Sequence, residues 1–353
     1  MTKTNSTATT GNAPTTLMFA EAAEAGAAVE RFLGRNRAAL DALADRLRAA
    51  PPPFIVTCAR GSSDNAATYG KYLFETLLGI TTASAAPSIS SVYAASPTRF
   101  SNVLCVAISQ SGRSPDLLAS VAAQKAAGAY VVALVNDDGS PLADMADVVL
   151  GLSAGVERSV AATKSYIVSL AGLMALVAAW TQDAALQDGV NALPALLPHA
   201  FALDWSAAIS TLRDARNLYV IGRGYTLGIA QEAALKLKET CALHAECFSA
   251  AEVKHGPMAL VREGFPVLMF TQDDETRAGI EALAAEFAAR GAKVLLAGAR
   301  ARGAITLPSI TAHPVLEPVL AIQSFYALAN HLSLARGLDP DRPPHLHKVT
   351  ETV

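Results

Sequence analysis

The chain is short of several things, and each shortage removes a class of function. It has only four cysteines, Cys58, Cys105, Cys241 and Cys247, and none pairs as CxxC. Cys58 and Cys105 fall in strand-like apolar runs, where a thiol serves as a small core filler. A reducing, cytoplasmic setting is therefore the expectation. Charge is sparse and balanced: 17% of residues are charged, the net charge is −3, and no long Lys/Arg run occurs. That leaves no electrostatic footprint for nucleic acid, although neutral hydroxyls and backbone donors can still hold an anionic ligand. The GxGxxG fingerprint is missing. GRGYTLG at 222–228 is a near miss without a well-placed acidic residue after it, so no nicotinamide cofactor is expected. GxxxxGK[ST] is missing too, which argues against a P-loop hydrolase. His244, His255 and His313 are scattered, there is no HExxH, and only His345 and His347 lie close together, so no metal and no other cofactor is expected. The opening MTKTNSTATTGNAPTT is polar, with no apolar run of signal-peptide type. Residues 1–16 read as a disordered tail. The most apolar stretch runs uncharged for about 16 residues from Ser165, short of the roughly 20 a span needs. It reads as a helix buried between protein layers, and no membrane partner is expected.

What the chain does have is repetition. Near residue 55 the run PFIVTCA breaks at RGSSDNAATYGKYLFE, and near residue 218 LYVIGRG breaks at YTLGIAQEAALKLKE. Each is an apolar strand candidate, a small polar turn and a helical pattern. That order gathers backbone N–H groups at one point and suits a phosphate. GAYVVALV and GAKVLLAG match in register as well as type. Duplication accounts for this better than two unrelated domains. At 353 residues and 52% hydrophobic content, each half can bury its own core.

Strands are expected at 54–58, 82–86, 103–108, 130–135 and 147–151, with helices at 65–78, 114–127 and 162–181. The second half repeats the order, with strands at 217–222, 265–270, 293–298 and 304–309 and helices at 227–243, 277–290 and 315–335. Short apolar runs alternating with helices predict α/β domains with parallel sheets covered on both faces. Two helical patterns at 17–49 lead into the first domain. Residues 182–204 hold a polar break and then a pattern through LLPHAFALDW into a helix before 216, and the boundary is placed there, giving domains at 17–190 and 191–338 and a C-terminal loop at 339–353. Right-handed crossovers put ligands at the carboxyl ends of the strands, near the switch in strand order.

The sharpest local signal is AISQSGRSPD. Ser109, Gln110, Ser111 and Ser114 surround Gly112 after an apolar strand, and Ser114-Pro115 has the form of a helix N-cap with proline in the first turn. The same residues also make an ordinary capped turn. The companion turn Gly61-Ser62-Ser63, which should open on the same sheet edge, tips the reading toward a phosphate site. Lys236 and Glu239 lie three apart on a predicted helix. They are either a solvated ion pair or, because Ala233, Ala234, Leu235 and Leu237 make that helix apolar, a partly buried acid–base pair. His255, before Gly256-Pro257, is a candidate acid–base group on a turn. The tail GLDPDRPPHLHKVTETV is either a frayed end or a stiffened loop that aims its basic groups. The apolar, alanine-rich helices 162–181 and 227–243 exceed what two small layers need to cover, which predicts an interface.

Together, GSSDN, SQSGRS, SVAATKS, EAALKLKE, EVKHGP and HLHKVT, in that order over about residues 30–353, resemble the SIS (sugar isomerase) family. Within it the chain looks like the isomerase portion of glucosamine-6-phosphate synthase. The resemblance implies two duplicated flavodoxin-like three-layer domains, a homodimer with shared active sites, and a phosphorylated amino sugar or ketose as the small-molecule partner. It implies that Ser62, Ser63, Ser109, Gln110, Ser111 and Ser114 bind the sugar phosphate and that Val160 and Ala162 line the sugar site. Glu239 would move a proton between C1 and C2 with Lys236 beside it. His255 of a neighbouring subunit would help open the ring, and Lys348 would cover the sugar. Three departures stand out: residue 2 is Thr where the synthase has its nucleophilic cysteine, Arg113 replaces Glu in SQSGET, and Ala162 replaces the serine of VASTK. With no glutamine-hydrolysing domain expected, conversion of glucosamine 6-phosphate to fructose 6-phosphate and ammonia is the leading expectation. The alternatives are galactosamine 6-phosphate, a fructosamine phosphate, plain aldose–ketose isomerisation, or a non-catalytic sugar-phosphate sensor.

Overall fold

A computed structural model describes residues 15–99 and 101–348. The expected tail therefore lies outside the described residues up to residue 14, as do residues 349–353 of the C-terminal loop. Two helices, α1 (Leu17–Ala23) and α2 (Ala25–Ala49), precede the first sheet. Its strands are β1 (Ile55–Cys58), β2 (Thr82–Ser84), β3 (Leu104–Ser109), β4 (Tyr130–Val135) and β5 (Val148–Gly151). Between and after them run α3 (Ser62–Leu77), α4 (Ser88–Ser91), α5 (Pro115–Ala126), α6 (Pro141–Met145) and α7 (Lys164–Thr181). Two linking helices follow, α8 (Ala184–Phe201) and α9 (Ser206–Leu212). The second half has β6 (Asn217–Gly222), α10 (Thr226–Cys241), β7 (His244–Ser249), β8 (Pro266–Phe270), α11 (Arg277–Ala289), β9 (Lys293–Ala297), β10 (Ile305–Leu307) and α12 (Glu317–Ala335).

Both sheets are five-stranded and wholly parallel, in the orders β2-β1-β3-β4-β5 and β10-β9-β8-β6-β7. Numbered within each half, both read 2-1-3-4-5, the flavodoxin-like order. The duplication seen in the sequence is thus a duplication of topology. Every residue of β1, β3 and β8 is buried, as strands covered by helices on both faces require. The edge strand β7 has a single buried residue, Ala245, between exposed His244 and Glu246, and its last three residues are half-buried. Its sequence, HAECFS, lacks the continuous apolar run that marks the central strands, and no strand was expected there.

Helix α8 takes in most of 182–204, the expected polar break as well as the pattern after it. Pro194 and Pro198 lie inside the helix. Pro198 has no N–H for the Pro194 carbonyl, and Gly26 of α2 is what lets another helix approach there: a Cβ on Gly26 would lie 2.6 Å from that oxygen. The boundary placed near residue 190 falls within this helix, and one continuous core joins the two halves. Gly228 of α10 sits against α3 so closely that a Cβ would meet the Asn65 carbonyl at 2.7 Å.

Helix α7 is long and apolar enough to cross a membrane, but 89% of it is buried inside the protein, against α2, α3 and α8. Most of α10 is buried too. The apolar surplus that suggested an interface is therefore covered within one chain, and that argument for a second copy fails.

Candidate active site

In the first sheet the strand order switches between β1 and β3, where the next elements leave in opposite directions. The turns after those two strands open on the same edge. Gly61 (φ +56°) turns the chain into α3, whose first two residues are Ser62 and Ser63. Ser109 ends β3, and its Oγ accepts a hydrogen bond from the Gly112 N–H at 2.9 Å. Gly112 has φ +65°, and a Cβ there would lie 2.2 Å from Ser140 Oγ. Only glycine makes this turn without displacing its neighbours. Ser114 occupies the N-cap of α5 with Pro115 after it, yet its side chain makes no capping bond. The expected cap is thus a cap in position only, and its hydroxyl faces a cavity of about 350 Å³.

That cavity gathers nearly all the residues singled out from the sequence. Ser62, Ser63, Ser109, Gln110, Ser111 and Ser114 line it, together with Val160 and Ala162 from the loop before α7. Glu239 and Lys348 complete the lining from the second half and the tail, and Arg60 joins the serine turns. The serine turns bring the N-termini of α3 and α5 to the cavity, a setting that favours an anion.

Glu239 arrives on α10, the helix that packs on α3. It is 20% exposed, and its Oε2 accepts from Lys236 Nζ at 2.5 Å. Lys236 itself is buried and also donates to Ser62 Oγ at 3.1 Å. Its third partner, Glu232 Oε1 at 3.3 Å, is fully buried. Glu232 also accepts from Asn65 Nδ2 at 2.9 Å and from the Tyr326 hydroxyl at 3.3 Å. Burial alone would push the Lys236 ammonium down, but the Glu232 and Glu239 carboxylates outweigh it and hold the group above the ordinary lysine range. Burial pushes the Glu232 carboxyl up, and Lys236 offsets part of that push. Two carboxylates share one ammonium, so the cluster favours keeping its protons. Of the two readings of the i,i+3 pair, the geometry matches the buried one: the pair belongs to a buried network with one face on the cavity.

Lys348 is anchored. Its Nζ donates to Glu157 Oε2 at 3.2 Å and to the Ser159 carbonyl at 2.8 Å. Glu157 is wholly buried and accepts from Ser165 Oγ at 2.6 Å and from the Thr163 N–H at 2.9 Å. Burial would raise its carboxyl, but Lys348 and these hydrogen bonds outweigh burial and hold it below the usual glutamate range. The tail, as far as residue 348, is thus docked on the loop that carries Val160 and Ala162.

Two residues lie elsewhere. His255 follows the 3₁₀ turn Glu252–Lys254, is exposed, and does not line the cavity of its own chain. Arg113 turns away from the cavity: its Nη2 donates to Asp137 Oδ2 at 2.7 Å and to the Gly139 carbonyl at 3.4 Å. Sequence reading missed Arg60, Glu157 and Glu232. GVERS was visible beside SVAATKS, but Glu157 and Glu232 have no local signal that separates them from solvated acids.

The SIS domain family model matches residues 52–179 and 211–298. The glutamine–fructose-6-phosphate aminotransferase (isomerizing) of Thermococcus kodakarensis is 33% identical over 353 residues, covering 94% of this chain and 57% of that protein. The chain spans about half the length of the curated relatives it matches. A solved structure of a provisionally assigned phosphosugar isomerase from Silicibacter pomeroyi DSS-3 is 40% identical, with a TM-score of 0.88, covering 93% of this chain and all of the other. The C-terminal domain of glucosamine-fructose-6-phosphate aminotransferase from Francisella tularensis is 26% identical, with a TM-score of 0.83, covering 96% of this chain and 100% of that one.

Proposed function

The chain belongs to the SIS domain family, and from that premise we propose that it converts glucosamine 6-phosphate to fructose 6-phosphate and ammonia. One observation carries the reading: Glu239 is the single carboxylate among the described lining residues of a cavity whose other wall is a serine-rich anion turn. A 6-phosphate bound at Ser62, Ser63 and the Ser109–Ser114 turn would lay the open-chain sugar toward Glu239. Glu239 takes the proton from C2 and returns it to C1, which turns the amino aldehyde into a ketimine. Water adds at C2 and ammonia leaves, giving the ketose. Lys236 orients Glu239 for that transfer. Lys348 supplies a cation for the oxyanion that develops at C1. His255, exposed on its own chain, would serve ring opening in a neighbouring subunit's cavity.

The four cysteines of this chain do not themselves supply a route to ammonia from glutamine. Releasing ammonia from glutamine by acyl transfer requires an accessible thiolate or comparable nucleophile. Cys58 and Cys105 are buried in β1 and β3. Burial pushes the Cys241 thiol up to about 11 and the Cys247 thiol up to about 12. None of the four is poised for that attack.

The test is to incubate the purified chain with glucosamine 6-phosphate and assay ammonia and fructose 6-phosphate. Unchanged substrate with no ammonia refutes the proposal. A second reading, isomerisation of a nitrogen-free phosphosugar by the same proton transfer, is favoured by the description of the 40% identical solved structure. A substrate panel read by mass spectrometry separates the two.

A further inference from the structure

Arg60 stands between β1 and the Gly61 turn and contributes to the cavity wall. Its Nε and Nη2 both donate to Asp116 Oδ2, at 2.9 and 2.6 Å. Asp116 is the second residue of α5 and only 1% exposed. Its Oδ1 accepts from the Leu117 N–H at 2.7 Å. A buried carboxylate fixed to α5 thus grips the guanidinium by one edge. The Arg60 side chain is 51% exposed, and its Nη1 makes no hydrogen bond among the described residues. Asp64, on the first turn of α3, feels the Arg60 charge without hydrogen-bonding to it.

Lys348, the other permanent cation of the cavity, is held by Glu157 and Ser159 on the sugar-loop side. At the serine turns Arg113 is drawn away to Asp137 and Lys236 is buried against Glu232 and Glu239, so Arg60, next in sequence to Gly61-Ser62-Ser63, is the cation of those turns that lines the cavity. The ion pair also spans the switch point, tying the turn after β1 to the helix after β3. A guanidinium pinned at one edge loses little rotamer freedom when its other edge meets a ligand.

We infer that Arg60 determines the specificity of this cavity for a phosphomonoester dianion, giving its oxygens a forked donor, with Asp116 as the positioning residue. The inference rests on reading the cavity as a phosphosugar site. Because Asp116 neutralises Arg60, the selectivity comes from directed N–H donors more than from net charge. Lysine in place of Arg60 is then a poor substitute.

Inorganic phosphate is the probe, titrated calorimetrically into the full chain. The variants are Arg60→Lys and the double variant Arg60→Ala/Asp116→Asn, which avoids leaving a buried carboxylate without its partner. The double variant should bind phosphate roughly ten- to a hundredfold more weakly, and Arg60→Lys should fall between it and wild type. Added guanidinium ion should restore part of the affinity of the double variant. A structural tie alone would lower the thermal midpoint and leave phosphate affinity unchanged. That result, or a wild-type chain that binds no phosphate at high millimolar concentration, overturns the assignment. Turnover is read separately. A raised KM with kcat retained on glucosamine 6-phosphate supports phosphate recognition. Weakened phosphate binding in the variants, with no ammonia from wild type, sinks the deaminase reading and leaves Arg60 in place.

Discussion

Replacing Lys236 with methionine is the most direct probe of the buried charge network. The methionine stem fills the same channel with little strain, so the loss is electrostatic. Lys236 and Glu232 are 1% and 0% exposed. Removing one partner of such a pair costs about 3–5 kcal/mol, because the other charge stays buried without compensation. Glu232 keeps Asn65 at 2.9 Å and Tyr326 at 3.3 Å, which places the expected loss near the lower figure, about 3 kcal/mol. Its pH dependence identifies the cause. Burial already pushes the Glu232 carboxyl up, and Lys236 opposes that push. Without the lysine the folded-state value rises further above the unfolded value. A carboxyl raised in the folded state adds stability below its unfolded value and loses it as the pH climbs through the folded value. The Lys236→Met penalty relative to wild type should therefore be small near about pH 5 and full near about pH 8. Adding Glu232→Gln should recover most of it. Urea unfolding followed by circular dichroism at both pH values is the assay. A penalty below about 1 kcal/mol near pH 8, or one independent of pH, refutes the account of a charged, buried Glu232.

Gly112→Ala should lose about 1–3 kcal/mol in a urea titration, because its φ is +65° and the added Cβ meets Ser140 Oγ at 2.2 Å; stability equal to wild type would mean the turn is not required as drawn. Glu157, held below the usual glutamate range chiefly by Lys348 acting against burial, should keep the tail docked above about pH 4.3 and release it as the pH falls through the lower folded-state value. Hydrogen exchange at residues 345–348 should rise on that acid side and, in Glu157→Gln, at every pH. Glu239→Gln should lower kcat on glucosamine 6-phosphate by roughly a hundred- to ten-thousandfold while phosphate binding stays at the wild-type level; a tenfold effect or less would move proton transfer elsewhere. Mixing Glu239→Ala with His255→Ala chains should restore part of the activity if the cavity borrows His255 from a partner, and no recovery in demonstrated mixed oligomers would remove His255 from the site.

What could be read in the chain is what is encoded locally. The strands β3 and β4 are unbroken apolar runs. The turn of Gly112 is announced by Ser-Gly flanked by hydroxyls, and the flavodoxin-like strand order is what the family resemblance implied. What could not be read depends on partners far away in sequence. Asn65 meets Glu232 across 167 residues, and Lys348 meets Glu157 across 191. In a one-dimensional reading Glu232 is one more acid on an amphipathic helix, and nothing nearby says that Tyr326 and Asn65 will close over it. Arg60 is another case: Asp116 lies 56 residues on, and the pair forms only because β1 and β3 are neighbours at the switch point. The close approach of α8 to Gly26 is a further contact with no local trace.

The same logic explains why the two halves are unequal. The serine turns belong to the first half and the Lys236–Glu239 pair to the second, and Lys236 donates to Ser62 across the junction at 3.1 Å. The serine turn and the Lys236–Glu239 pair are therefore linked by one hydrogen bond. The close approach of α10 to α3 at Gly228 sets that distance, since a Cβ there would meet the Asn65 carbonyl at 2.7 Å and the Tyr69 nitrogen at 2.9 Å. Duplication produced two similar sheets, and the cavity at the first switch point receives α10 from the other half. Chemistry at that cavity requires the shared core, because separating the halves would part Lys236 from Ser62 and expose Glu232.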